Sequence, residues 1–346
     1  MRRVLIISGK NDLSLRQTPA MQGVWRATPQ NGLKHDYLFM SNVNPEDVEY
    51  DFVAIRGKYL RNTTSFKVRR ENIILCTSEP RSVFDFPRDY VRQFGRVLSC
   101  QDTMRGNNVV MTPPILEWFS GLQFTPSKVK IATTYDDYTS SSPKPISQRT
   151  KLLSVVSSNK AFSAGHQARL KFVETLKAHY GDQIDVFGRG FRSFEDKHEV
   201  LADYKYHIAI ENSCSDNYFT EKLTDCFIEG AFPIYYGCNN INSYFPSEAL
   251  CRIDINNPNE AIAAIDLCIS SNVAEGATEI LSQCRQMSLH DYNMFNLIAK
   301  NIDDIEAPTS PASCTIHPCH SMHSIRNAWN YTIMHNYYKL KYKLGF

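Results

Sequence analysis

The sequence predicts an α/β protein with parallel sheets, and three observations lead to this fold class. The chain has 346 residues, enough for two ordinary domains with a core in each. In its second half, short apolar runs alternate with segments of helical periodicity. Between the halves, Pro143 and Pro145 interrupt a serine-rich stretch, which predicts a linker. We therefore expect one domain at 1–148 and a second at 149–310.

The first half contains short apolar runs between polar, asparagine-rich and proline-rich segments. These runs predict strands at 4–8, 51–55, 72–76, 96–100 and 129–133. Two arginines precede the first run, as at the start of a signal peptide. Lys10 and Asp12 follow that run closely, so a first strand is the preferred interpretation.

The second half alternates more regularly between the two kinds of element. The predicted strands are 151–157, 183–187, 206–211 and 232–236, and the predicted helices are 165–180, 194–204, 220–230, 258–269 and 273–302. Pro258 suits a first helical position, with Asn257 as its cap. Strands that alternate with helices favour parallel pairs with right-handed crossovers.

The residues from 311 to 346 predict a separate C-terminal element. From Met322 onward, apolar residues recur at spacings of three and four, which predicts an amphipathic helix. Packing back on the N-terminal domain is the preferred interpretation. Lys339, Lys341 and Lys343 favour the alternative, peripheral contact with a membrane surface.

Composition limits the function classes. A formal net charge of +2 provides no electrostatic case for a nucleic-acid partner. No apolar run approaches the roughly 20 residues that cross a bilayer. The ten cysteines are scattered and no secretion signal precedes them, so we expect reduced thiols and a cytoplasmic location. The group at Cys314, His317, Cys319, His320 and His323 fits no common zinc spacing, and a polar linker is the preferred interpretation.

The stretch 204–237 places both signs of charge at one junction between a strand and a helix. The strand ends at Glu211, and the helix begins with Thr220, Glu221 and Lys222. Free backbone N–H groups at the helix start and the Lys222 ammonium favour a diphosphate, whereas the Glu221 carboxylate accepts hydrogen bonds from ribose hydroxyls. A sugar nucleotide accounts for both charges. An ordinary helix start with an exposed Glu-Lys pair is the alternative.

Three motifs lie in this stretch: Tyr-Lys-Tyr-His-Ile-Ala-Ile-Glu-Asn-Ser at 204–213, Tyr-Phe-Thr-Glu-Lys-Leu at 218–223 and Gly-Ala-Phe-Pro-Ile-Tyr-Tyr-Gly at 230–237. Together they resemble the donor-site signature of glycosyltransferase family 10, the α-1,3/1,4-fucosyltransferases. That signature runs Tyr-Lys-Phe-x-x-x-Phe-Glu-Asn-Ser, Tyr-x-Thr-Glu-Lys and Gly-x-x-Pro-x-x-x-Gly. Ile210 and Phe219 depart from it, and Phe219 raises the alternative of a reshaped donor pocket.

The resemblance implies a GT-B fold, in which two Rossmann-like domains face a central cleft. The C-terminal domain would bind GDP-fucose and the N-terminal domain the acceptor. Arg169 matches the arginine that neutralises the diphosphate. The residues that the resemblance assigns to the donor site are Asn159, Arg169, Gly188, Gly190, Glu211, Asn212, Tyr218, Thr220, Glu221 and Lys222.

The resemblance also implies an inverting reaction, which needs a general base from the opposite domain. The run Ile-Ile-Leu-Cys-Thr-Ser-Glu-Pro at 73–80 resembles the family strand whose terminal glutamate is that base, so Glu79 is the candidate. Asp85, Asp89 and Asp102 are the fallbacks, and a surface glutamate before a turn is the alternative. Cationic side chains neutralise the leaving group, so we expect no metal and no cofactor.

The predicted function is a bacterial-type, cytoplasmic fucosyltransferase for surface-polysaccharide synthesis. GDP-fucose would be the donor, and an oligosaccharide or lipid-linked glycan the acceptor, with α-1,3 transfer to GlcNAc. Two alternatives stay open: a transferase for a different GDP-sugar, and a nucleotide-sugar-binding module without catalysis. Asp136 and Asp137 form an acidic pair that favours metal binding as a further alternative.

Overall fold

The computed structural model of this chain describes residues 1–9, 24–25, 32–125, 129–157, 164–308, 310 and 312–322. The strands, in chain order, are β1 (Arg2–Ile7), β2 (Val24–Trp25), β3 (Tyr37–Ser41), β4 (Phe52–Arg56), β5 (Thr64–Phe66), β6 (Ile73–Cys76), β7 (Arg96–Ser99), β8 (Val109–Met111), β9 (Leu122–Phe124), β10 (Val129–Ile131), β11 (Lys151–Val156), β12 (Ile184–Phe187), β13 (Tyr204–Ile210), β14 (Phe232–Tyr236), β15 (Cys251–Arg252) and β16 (Cys314–Ile316). The α-helices are α1 (Arg88–Val91), α2 (Tyr135–Ser140), α3 (Ala164–Tyr180), α4 (His198–Leu201), α5 (Glu221–Glu229), α6 (Pro258–Ser270), α7 (Val273–Gly276), α8 (Thr278–Gln286) and α9 (Met294–Lys300).

The N-terminal sheet has the strand order β2-β3-β1-β4-β6-β7-β8. Its strands pair in parallel, except that β2 is antiparallel to β3. Every residue of β4 and β6 is buried, as expected of central parallel strands that are covered on both faces. Phe295 and Ile298 of α9 cover one face, while Tyr90 and Phe94, in and just after α1, cover the other.

The C-terminal sheet has the order β12-β11-β13-β14-β15, and all of its strands are parallel. This alternation of strands and helices confirms the predicted α/β fold class. The carboxyl ends of parallel strands meet at one edge, which is where open α/β sheets bind ligands. The edge contains the end of β13 and the start of α5, so the 204–237 stretch lies where a ligand is expected.

Several local predictions need correction. The segment predicted as a strand at 129–133 forms β10, which pairs only with β9 in a separate antiparallel hairpin within the described part of the chain. The helix predicted at 194–204 is limited to the short α4. Helix α6 begins at Pro258 as predicted, but the Asn257 side chain makes no capping hydrogen bond.

Asp137, one member of the acidic pair at Asp136 and Asp137, caps a helix. The Asp137 carboxylate accepts hydrogen bonds from the backbone N of Thr134 at 2.8 Å and from its hydroxyl at 2.7 Å. These bonds lower the pKa of Asp137 and complete a capping box at the start of α2. Thr134 and Asp137 therefore form the helix start within the stretch that joins the two sheets.

The chain returns to the N-terminal sheet after α8. Helix α9 lies within the range 149–310 predicted for the second domain, yet it packs against the first sheet. Asp303 accepts hydrogen bonds there from the Lys34 backbone N at 2.6 Å and from the Tyr37 hydroxyl at 2.7 Å. Strand β16 then pairs with β5. The predicted tail helix lies outside the described residues, and the domain bounds stay a prediction.

The cysteine and histidine residues at 314–323, considered above as a zinc site, lie partly outside the described residues, because His323 is not among them. Cys319 is buried, and His317 contacts Thr63 at 3.2 Å. In the part of the chain that the structure covers, no three histidine, cysteine or acidic residues are grouped to hold a metal ion. Nor does any described helix combine the length and apolar character that a membrane span requires.

Gly188 is required by close packing between the ends of β11 and β12. Its φ is +115°, and a Cβ at this position would lie 2.0 Å from the Ser157 carbonyl oxygen. We expect Gly188→Ala to lower the free energy of unfolding by at least about 2 kcal/mol, since strain and overlap add. Urea denaturation followed by circular dichroism measures the loss.

Gly181→Ala is the matched control for this prediction. Gly181 also has a positive φ, +53°, but nothing lies within 4 Å of its added Cβ. Its substitution should cost only about 1 kcal/mol, from backbone strain alone. Equal losses in the two variants would contradict the packing explanation for Gly188.

Candidate functional site

Glu211 organises the carboxyl end of β13. Its carboxylate accepts hydrogen bonds from the Thr220 backbone N at 2.7 Å, from the Thr220 hydroxyl at 2.9 and 3.0 Å, and from Lys222 Nζ at 3.1 Å. The Glu211 side chain has no exposed surface, whereas a quarter of the Lys222 side chain is exposed. Glu211 and Thr220 are both predicted donor contacts. In the structure they bind Lys222 Nζ and fix its position.

Helix α5 begins where the sequence predicts it. The Thr220 hydroxyl accepts a hydrogen bond from the Lys222 backbone N, which confirms Thr220 as the cap. Lys222 Nζ also lies 3.8 Å from the Glu221 carboxylate. The first turn thus presents an ammonium and a carboxylate side by side.

Both members of this pair are charged. Burial opposes ionisation of Glu221, but the positive charges of Lys222 and Lys197 outweigh it and lower the pKa of the carboxyl. Burial likewise opposes the charge on Lys222, but Glu211 and Glu221 outweigh it and raise the pKa of the ammonium. The helix start therefore combines a fixed cation and a fixed anion, as a nucleotide with phosphates and ribose hydroxyls requires.

Arg169 brings a second cation to the same edge of the sheet. It projects from α3 and is buried, and its Nη1 donates a hydrogen bond to Asn212 Oδ1 at 2.8 Å. Asn212 itself is exposed and directly follows Glu211. Two predicted donor residues thus meet beside the β13 terminus. Asn159, a third, lies outside the described residues.

Tyr218 closes the loop between β13 and α5. The preceding Asn217 has φ +61° and is held by Asn240, which donates to its side chain at 2.9 Å and accepts from its backbone N at 2.7 Å. Tyr218 is buried. Burial, with the negative charges of Glu211 and Glu79, raises the pKa of Tyr218, so its hydroxyl remains a hydrogen-bond donor.

Phe219, which departs from the family signature, is buried in the hydrophobic core of the second half. Its ring packs edge-on against Tyr244 and Tyr292, with centroid distances of 5.1 and 5.5 Å. A larger apolar residue is accommodated here by an aromatic cluster. Gly188 and Gly190 both have positive φ, and at Gly188 the packing described above accounts for the glycine.

Glu79 faces this edge from the N-terminal sheet. It lies just beyond β6, where its backbone carbonyl accepts a hydrogen bond from Gln101 Nε2 at 3.0 Å. Its side chain is exposed. Partial removal from water raises the pKa of the Glu79 carboxyl, while the charge of Lys222 lowers it and that of Glu221 raises it. Glu79 and the α5 residues are therefore close enough to interact across the cleft.

The two halves touch beside Glu79. The Ser82 and Ser213 hydroxyls lie 2.7 Å apart and form a hydrogen bond between them. This contact joins the loop after β6 to the loop after β13. The general-base candidate and the donor-site candidates are thus on opposite walls of one narrow cleft.

The fallback carboxylates have different surroundings. Asp85 pairs with Arg81 at 3.2 Å and Asp89 pairs with Arg92 at 3.3 Å, both on exposed surface. Asp102, by contrast, lines a cleft pocket of about 350 Å³. The other lining residues are Met104, Arg105, Gly106, Val109, Met111, Asp216 and Asn217. The pocket spans both halves of the chain, which makes it a candidate for the second substrate.

One charged residue near the site has no counterpart among the sequence predictions. Lys197, just before α4, pairs with Asp225 Oδ2 at 2.9 Å and approaches Glu221 Oε1 at 3.8 Å. Nothing in its local sequence distinguishes it from a surface lysine. The sequence signal for Lys197 is Asp225, a charged residue on the buried face of α5. A buried charge of this kind needs a cation nearby, which predicts an unidentified partner.

Comparison with known proteins gives a consistent result. Residues 146–272 match the family model for glycosyltransferase family 10 (fucosyltransferase) C-term. A 4-galactosyl-N-acetylglucosaminide 3-alpha-L-fucosyltransferase, FUT6, from Homo sapiens is 31% identical over 117 residues, or 32% of this chain and 31% of that protein. A GDP-fucose protein O-fucosyltransferase 3 from Danio rerio is 39% identical over 66 residues, or 19% of this chain and 14% of that protein. The matches span about a third or less of these relatives.

The fold comparison covers more of the chain. A crystal structure of alpha1,3-fucosyltransferase with GDP aligns with a TM-score of 0.51 at 16% identity, over 87% of this chain and 89% of that one. The shared architecture confirms the predicted GT-B fold of two Rossmann-like domains. Residues 146–272 are therefore similar to the C-terminal part of glycosyltransferase family 10, the fucosyltransferases.

Proposed function

We propose that this protein transfers L-fucose from GDP-β-L-fucose to a hydroxyl of a glycan acceptor. The observation that carries the proposal is the pair of fixed cations, Lys222 and Arg169, at the edge of the C-terminal sheet opposite the Glu79 carboxylate. The family match over the same sheet supports fucose as the sugar and GDP as the leaving group. The name of the Danio rerio relative, GDP-fucose protein O-fucosyltransferase 3, gives GDP-fucose as its donor.

The cations account for departure of GDP. As the bond between C1 of fucose and the β-phosphate oxygen breaks, negative charge develops on the diphosphate. Lys222 is anchored by Glu211, and Arg169 by Asn212, so neither needs to reorganise during the reaction. Preorganised charges of this kind stabilise the transition state more than mobile ones do. These residues supply the neutralisation, and no metal or cofactor enters the proposal.

Glu79 accounts for activation of the acceptor. The acceptor oxygen bonds to C1 as the bond to GDP breaks, and Glu79 takes the proton that this oxygen loses. A single displacement of this kind converts the β-linked donor into an α-fucoside with inversion. The electrostatic interaction between Glu79 and Lys222 across the cleft supports this role.

The cleft pocket suits a sugar acceptor. Asp102 and Asp216 provide carboxylates for sugar hydroxyls, while Met104 and Val109 provide apolar contact for C–H faces. We extend the proposal to a GlcNAc-containing oligosaccharide or lipid-linked glycan and to α-1,3 linkage. Bacterial surface-polysaccharide synthesis in the cytoplasm, with peripheral contact at the inner membrane, is the setting that the sequence predicts. A glycan array with GDP-fucose and linkage analysis tests this part of the proposal.

Removing either cation should slow fucose transfer. We expect Lys222→Ala and Arg169→Ala each to lower kcat/KM for GDP-fucose at least about tenfold, or about 1.4 kcal/mol, because each contributes charge to the leaving diphosphate. A coupled assay for GDP release measures the rate. Lys205→Ala is the control, because Lys205 pairs with Glu275 at 2.6 Å near the opposite end of β13. Wild-type rates in both cation variants would refute the assignment.

Glu79→Gln should strongly slow catalysis while leaving donor binding nearly unchanged. We expect turnover to fall by about 10²-fold to 10⁴-fold, as loss of a general base predicts, with GDP-fucose affinity by calorimetry nearly unchanged. In the wild type, kcat/KM should fall as the pH drops through the raised pKa of Glu79, because protonation removes the base. Turnover that survives the substitution would exclude Glu79. GDP-fucose binding by a wild-type protein that has no turnover would indicate a binding module.

Transfer should not depend on a divalent metal. We expect full activity in excess EDTA, since Lys222 and Arg169 neutralise the diphosphate. The assay is the same GDP release, with dialysed enzyme as the control. Loss of activity in EDTA that manganese restores would show that the cations of the protein are insufficient.

A further inference from the structure

Lys197 lies between two carboxylates on one face of α5. Its Nζ is 2.9 Å from Asp225 Oδ2 and 3.8 Å from Glu221 Oε1. The Asp225 side chain is fully buried and that of Lys197 is 12% exposed. The ammonium also lies over the Phe119 ring, 5.7 Å from its centroid. A lysine so enclosed is a fixed part of the interior rather than a surface charge.

The position of Lys197 follows from the geometry of α5. Glu221 and Asp225 are four residues apart, so their side chains share one face of the helix and repel each other when both are charged. Burial strengthens this repulsion, because water no longer screens it. The Lys197 ammonium, brought in from the loop before α4, reduces that repulsion.

Asp225 is also fixed on its other side. Its Oδ1 accepts hydrogen bonds from the backbone N of Phe119 at 3.0 Å and of Ser120 at 3.2 Å. With Oδ1 held by this segment and Oδ2 by Lys197, Asp225 cannot rotate without breaking one set of contacts. Lys197 therefore rests on an immobile partner next to Glu221.

Glu221 is thereby held between two ammonium groups. Lys222 approaches from the cleft side at 3.8 Å, and Lys197 approaches from the interior at 3.8 Å. We propose that Lys197 is a positioning residue for the donor site: it fixes the Glu221 carboxylate at the start of α5 in the orientation that accepts hydrogen bonds from the ribose of the nucleotide. The inference rests on the proposed function, and Lys197 itself touches no ligand in it.

The charged groups around Glu221 set the expected pH dependence. They are Lys222 and Asp225 on α5, Lys197 before α4, and Glu79 from the opposite sheet. Tyr218 in the preceding loop is uncharged, because its pKa is raised. Lys222 and Lys197 together lower the pKa of Glu221. Removing Lys197 should raise the pKa of Glu221. The Glu221 carboxylate that binds the donor is then protonated at a higher pH.

The test measures GDP-fucose binding by calorimetry, with assays of transfer, in the full chain. For Lys197→Met we expect affinity for GDP-fucose to fall about tenfold, acceptor KM to stay nearly unchanged, and the acid limit of donor binding to move to higher pH. Lys197→Arg keeps the charge and should restore both the affinity and the pH profile. Lys205→Met removes a more exposed ion pair elsewhere in the domain and should change neither.

A double substitution separates positioning from general stability. In a Glu221→Gln background, Lys197→Met should cost no additional donor affinity, because the group that Lys197 orients is already neutral. Asp225→Asn offers a second variant of unchanged shape. It removes a negative charge from beside Glu221, which lowers the pKa of Glu221. The acid limit of donor binding should therefore move to lower pH, opposite to the shift in Lys197→Met.

The outcomes distinguish this inference from the proposed function. A wild-type protein that does not bind GDP-fucose overturns both. If the wild type binds GDP-fucose and Lys197→Met binds it equally well with the same pH profile, only the positioning role is overturned. An affinity loss that persists in Glu221→Gln also overturns it, as does a shift of the acid limit in Asp225→Asn to higher pH. Should Lys197→Met fail to fold, the direction of the Asp225→Asn shift decides.

Discussion

At the carboxyl end of β13, the Glu211 carboxylate has no exposed surface and is bound by Thr220 and Lys222. Leaving the buried Glu211 carboxylate without a cation would cost several kcal/mol. Folding therefore holds Lys222 next to Glu211. The β13 strand, the first turn of α5 and the exposed ammonium are thus one rigid unit. The donor site depends on this unit, because the position of Lys222 is set before any ligand arrives.

The cleft divides the chemistry between two sheets. The C-terminal sheet contributes the cations Lys222 and Arg169, and the N-terminal sheet contributes the carboxylate of Glu79. The Ser82 and Ser213 hydroxyls form a hydrogen bond between these walls. The candidate base and the candidate donor site therefore come from different sheets and face each other across the cleft.

Much of the fold and the donor edge could be predicted from the sequence, and the residues show why the rest could not. Strands β4 and β6 are continuous apolar runs, a pattern that identifies buried parallel strands. Strand β8 was not predicted, because its three residues are partly exposed. Helix α2 was also missed, although Thr134 and Asp137 have the spacing of a capping box.

The candidate site divides in the same way. Thr220, Glu221 and Lys222 are contiguous, and their helix start was predicted from local sequence alone. Lys197 enters the site only because the loop before α4 packs on α5, and such tertiary contacts leave no local pattern. The proximity of Glu79 to Lys222 is likewise a product of the domain arrangement, and only the family resemblance indicated it.

The return of α9 and β16 to the N-terminal sheet has a consequence for dividing the protein. The region that matches the family ends at residue 272, yet Phe295 and Ile298 cover an apolar face of the other half. A fragment that stopped at that limit would leave this face bare and aggregation-prone. A chimera built from this chain must therefore keep the segment around α9 together with the N-terminal half, since that segment packs on the N-terminal sheet.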